Sequence, residues 1–100
     1  MTNMKQRLTD ESKNEVAAEE REIKISDEEL ETLEAKIKVE NKFLKMKDIK
    51  DDLKDQVKYS VQALEGMLMM EQQKNAELRQ DLQISKYRLA VIDKFGDGEL

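Results

Sequence analysis

The sequence predicts an all-α protein built on one long helix, and three observations carry that expectation. There is no proline in the 100 residues, and only three glycines. Charged residues make up 41% of the chain and aromatic ones 4%, the composition of a long helix or coiled coil. Apolar residues recur at helical spacing from Leu30 to Phe95. A helix of roughly 70 residues would be a rod of about 100 Å. Such a rod cannot enclose a large core of its own, so its apolar stripe must be buried against another helix.

Residues 1–25 are polar and weakly patterned, with Val16 and Ile23 separated by Glu20. They read as an arm that is disordered or weakly helical. The long helix is expected over residues 26–95. Ser26-Asp27-Glu28-Glu29 has the form of a capping box, in which Ser26 and Glu29 satisfy each other's free backbone amides. Ile25 and Leu30 would add a hydrophobic staple, and the three acids suit the positive end of the helix dipole. At the far end Gly96 is placed to take the left-handed conformation that stops a helix, leaving residues 96–100 as a tail.

Between these ends the apolar stripe changes phase. Leu30, Leu33, Ile37 and Leu44 lie on one line, whereas Met46, Ile49, Leu53 and Val57 lie on a shifted one. Met46, Val57 and Leu68 are spaced by elevens, the period of a nearly straight seam. From Val61 a heptad fits. Val61, Leu68, Asn75, Leu82 and Leu89 fall at position a, and Leu64, Glu71, Leu78, Ser85 and Ile92 at position d. The expected oligomer seam is therefore Val57, Val61, Leu64, Leu68, Asn75, Leu78, Leu82, Leu89 and Ile92 of an intermolecular coiled coil. A homodimer is favoured, with trimer or tetramer open. Asn75 either pairs with its twin across a dimer and sets the register or faces water. The alternative fold is a helical hairpin turning near Gly66 and dimerising into a four-helix bundle.

Two zones are apolar on more than one face. Met67, Met69 and Met70 form the first, and Tyr87, Val91 and Phe95 the second. A two-stranded seam needs only a narrow stripe, so these are candidate patches for a protein partner.

Several classes of function are disfavoured. Without cysteine or histidine there is no disulfide, no zinc or copper site of ordinary chemistry, and no Ser-His or Cys-His nucleophile. Adjacent carboxylates such as Asp51 and Asp52 point to different helix faces, which gives no acid–base pair. The tail places Asp93, Asp97 and Gly98 as an EF-hand loop would, but Phe95 stands where a calcium ligand belongs. No enzyme, cofactor, metal or small-molecule substrate is therefore expected. Net charge is −5, and the lysines from Lys36 to Lys58 are interleaved with Glu40, Asp48, Asp51, Asp52 and Asp55. That run reads as a solvated face, which makes nucleic-acid binding unlikely. No stretch approaches the roughly 20 apolar residues that span a bilayer, and Met1–Leu8 lacks the apolar run of a secretory signal. The expected compartment is the cytoplasm of a cell, or of a host cell for a viral protein. The expected role is a non-enzymatic coiled-coil scaffold, spacer or assembly chaperone. A second reading is an acidic helical inhibitor or regulator that blocks one protein, and a third is a weak nucleic-acid-binding helix.

Overall fold

A computed structural model describes residues 3–100. Two long helices make up the fold: α1, Met4–Leu44, and α2, Asp51–Asp93. Joined by a short turn, they form a helical hairpin. The all-α class stands, and no strand occurs among the described residues.

The start of α1 differs from the sequence expectation. Its cap is Asn3, whose Oδ1 accepts the Lys5 amide at 2.9 Å while its carbonyl accepts the Arg7 amide at 3.0 Å. Residues 4–25 are regular helix, not a loose arm; residues 1 and 2 of that arm lie outside the described residues. Ser26 sits mid-helix and is buried, so it caps nothing, and Glu29 is exposed. The physical reason lies in the stripe that precedes it. Ser12, Val16, Glu19 and Ile23 are spaced by fours and threes and run into Ser26, Leu30 and Leu33 without a break. The carboxylate on that line is Glu19, whereas Glu20 faces out.

The expected unbroken helix over 26–95 is interrupted at residues 45–50. The Lys45 and Met46 amides donate to the Lys42 and Phe43 carbonyls at 3.1 Å, tightening the last turn of α1. Asp48 then takes a left-handed backbone, φ 67°. An aspartate tolerates that region better than most residues, because its short side chain bonds locally. The Lys50 carbonyl accepts the Lys54 amide at 3.1 Å, and Asp51 and Asp52 occupy the first turn of α2, where the dipole favours negative charge. The hairpin thus turns here and not near Gly66, which lies inside α2.

At its far end α2 closes with the Lys94 and Phe95 amides donating to the Val91 and Ile92 carbonyls at 3.1 Å. The left-handed glycine is Gly98, φ 89°, and not Gly96. The Gly96 carbonyl instead accepts the Glu99 amide at 3.2 Å.

The chain divides into two compact units, each drawing on both helices. One comprises Ser26–Asn75 and contains the turn. Leu33 and Val61 are its buried apolar residues, with Leu30, Ile37, Leu44, Val57, Leu64 and Leu68 half-buried. The other comprises Met1–Ile25 and Ala76–Leu100. There Ile23 is buried, and Leu8, Val16, Leu78, Leu82, Leu89 and Ile92 are half-buried.

Candidate protein-interaction surface

The nine residues expected to form a seam do lie on inward faces. Val61 and Asn75 are buried, and Val57, Leu64, Leu68, Leu78, Leu82, Leu89 and Ile92 are half-buried. What they face is α1 of the same chain. The heptad frame of α2 survives, but its partner lies within the hairpin.

Polar groups set the pairing inside each unit. In the turn-containing unit, Asn75 Nδ2 donates to Ser26 Oγ at 3.1 Å and to Asp27 Oδ1 at 2.8 Å. Nearer the turn, Ser60 Oγ approaches Glu40 Oε1 at 3.5 Å. The pairs 26/75 and 40/60 run in opposite directions along the two helices, which makes them antiparallel. In the other unit, buried Ser85 donates to Glu19 Oε1 at 2.8 Å, and Lys5 Nζ reaches the Asp93 carbonyl at 3.5 Å. The second oxygen of Glu19 is buried without a hydrogen-bond partner. Such polar seam residues lower stability and select one alignment over others. The sequence frame located Asn75 and Ser85, but their acceptors on α1 were hidden because residues 1–25 read as an arm.

With the seams closed internally, the remaining apolar side chains face outward. In the turn-containing unit Met67, Met69 and Met70 are exposed. Met67 and Met70 border a groove of about 360 Å³ whose floor includes Leu33. In the other unit Ile84, Tyr87 and Val91 are exposed on α2. With Leu8 and Ile92 they line an apolar groove of about 530 Å³. Phe95 lies just beyond the end of that helix, exposed and outside the groove. Of the expected patch residues, the structure therefore joins Tyr87 and Val91 in one surface and Met67 and Met70 in another. Ile84 belongs to the same apolar zone by its i, i+3, i+7 spacing with Tyr87 and Val91, whereas Leu8 of α1 joins the groove with no signal in the sequence.

Among the described residues, no three His, Cys, Asp or Glu side chains gather as a metal site. No helix is long and apolar enough to cross a membrane. No protein-family model, curated protein sequence or solved structure matches the chain.

Proposed function

We propose that this chain is a non-enzymatic assembly module, a small helical scaffold, spacer or assembly chaperone acting in the cytoplasm. It works by docking one hairpin onto a second copy. The observation that carries this reading is the groove bordered by Ile84, Tyr87 and Val91. Tyr87 is 64% exposed and Val91 52%, although α2 already turns a separate stripe of half-buried Leu78, Leu82 and Leu89 inward. A helix with apolar residues on two faces is suited to contact more than one neighbour. Two hairpins packed through such faces would make a four-helix bundle, with side chains interleaved as in other bundles.

The test is light scattering joined to circular dichroism over a dilution series. The expected result is a dimer that dissociates on dilution while most of its helicity remains. Ile84→Asp with Val91→Asp should shift the chain to monomer without loss of helix, since both side chains are exposed. Leu82→Asp should instead lower helicity, because its face packs within the chain. A wild-type chain that stays monomeric and helical at high micromolar concentration overturns the reading.

A further inference from the structure

In the sequence the lysines after Ala35 are interleaved with acids and read as a solvated face. The structure sorts them differently. Between Ala35 and Lys47 there is one carboxylate, Glu40. It is half-buried and turned toward α2, where Ser60 Oγ lies 3.5 Å from its Oε1. The outward face of the same turns carries Lys38, Lys42 and Lys45, all exposed. Lys36 and Lys47 flank them, also exposed. Asp51, Asp52 and Asp55 belong to α2, with the first two in its opening turn, where the helix dipole partly offsets their charge. From residue 36 to residue 50 the chain holds six lysines and two acids, against −5 for the whole protein.

Apolar side chains stand among these lysines. Val39 is 68% exposed and Met46 58% exposed. Together with Phe43, Lys42 and Lys45 they border a shallow groove of about 520 Å³. Val39 and Lys42 are i, i+3 neighbours on α1, and Met46, in the turn beyond Leu44, borders the same groove, so cationic and apolar side chains share one strip.

We propose that the end of α1 and the turn that follows it, from Lys36 to Lys47, form a docking surface for an anionic lipid bilayer. Lysine ammonium groups would meet the headgroup charge, and Met46 and Val39 would enter the boundary between headgroups and acyl chains. The long lysine stems suit such a boundary, because they lie along apolar surface while the charge stays in water. Each basic residue close to an anionic membrane strengthens binding, and exposed apolar side chains add the area that electrostatics alone lacks. The composition favours lipid over nucleic acid. The segment has no arginine, the residue best matched to bidentate phosphate contacts. Its aromatic residue, Phe43, is half-buried and poorly placed for base stacking.

The experiment is co-sedimentation of the full chain with phosphatidylcholine vesicles, with and without phosphatidylserine, beside a binding assay with a poly-uridine oligonucleotide. Partitioning onto the phosphatidylserine vesicles should exceed that onto pure phosphatidylcholine by roughly tenfold or more, and should fall as salt is raised. Lys38→Glu, Lys42→Glu and Lys45→Glu together should weaken it by about 100-fold while the circular dichroism spectrum is retained. Met46→Asp should weaken it by roughly tenfold with every lysine in place. Equal partitioning onto both vesicles overturns the proposal. So does unchanged binding by the triple variant, or binding to the oligonucleotide without binding to vesicles. None of the three charge reversals touches Ile84, Tyr87 or Val91, so self-association is read separately.

Discussion

The Asn75 side-chain amide donates to the Asp27 carboxylate at 2.8 Å, and the same nitrogen lies 3.1 Å from Ser26 Oγ. One amide on α2 thus holds two consecutive residues of α1. Ser26 and Asn75 are both buried, whereas Asp27 reaches partly into solvent. A shift of one helix along the other by a single turn would part the Ser26 hydroxyl from the Asn75 amide inside the seam. The cost of such unsatisfied groups is about 1–3 kcal/mol each, enough to favour one alignment by more than tenfold.

Asn75→Leu is therefore expected to separate stability from uniqueness. When Ser26→Ala accompanies it, so that no buried hydroxyl is orphaned, the thermal midpoint should rise or hold, because an amide at an a position gives way to an apolar side chain. The alignment should become less defined. Spin labels at exposed Thr32 and Gln72 should give one narrow distance distribution in the wild type and a broader one in Asn75→Leu. An equally narrow distribution in both would show that Asn75 does not set the register.

Glu19 and Ser85 predict opposite signs for two substitutions at one contact. Ser85→Ala removes the donor to Glu19 Oε1, leaving a second oxygen of a partly buried carboxylate unsatisfied, and should cost about 1–2 kcal/mol. Glu19→Leu made together with Ser85→Ala removes the carboxylate, its orphan oxygen and the buried donor at once, and should recover that loss or stabilise the hairpin. Urea unfolding of the single and double variants checks the pair; a double variant less stable than Ser85→Ala would mean that the orphan oxygen is satisfied in solution.

Two backbone positions give a third prediction. A Cβ at Gly66 would meet nothing within 4 Å, so Gly66→Ala should add about 0.5–1 kcal/mol through helix propensity alone. A loss there would reveal a partner seated closely on that glycine. At Asp48 the left-handed backbone predicts the reverse preference. Asp48→Gly should be neutral or stabilising, and Asp48→Val should cost about 1–2 kcal/mol. Thermal midpoints measured at one protein concentration decide both cases.

The heptad frame of α2 was legible because its apolar residues outnumber its polar ones on one line. Its partner was not, for two reasons. The matching line of α1 contains Ser12, Glu19 and Ser26, so periodicity weighted toward apolar residues fades where the structure still packs. Ser26 with its following acids also imitates a helix start, and local chemistry alone does not tell a cap from a buried polar position. The turn was equally masked, since residues 45–50 contain neither glycine nor proline. The change of phase between Leu44 and Met46 was its trace. A stripe that slips by part of a turn marks either a change of supercoil or a break, and the 11-residue spacing favoured the first reading. The lysines of the turn-proximal end are exposed, as a solvated face requires, but their separation from Glu40 was not legible. Alternation along the sequence says little about which face each charge occupies once Glu40 is drawn inward.

The short connection between α1 and α2 also governs how the molecule is expected to assemble in time. In the turn-containing unit, Glu40 and Ser60 are 20 residues apart, whereas Ser26 and Asn75 are 49 apart. Closing the larger loop first would cost about 0.8 kcal/mol more chain entropy than closing the smaller. Zippering outward from Asp48 is thus the cheaper route, with the Asn75 amide engaging late. Substitutions beside the turn should slow folding, while those at Asn75 should mainly hasten unfolding. Within that unit the residues that check the alignment are then the last to close, so a misaligned pair can reopen before it is locked.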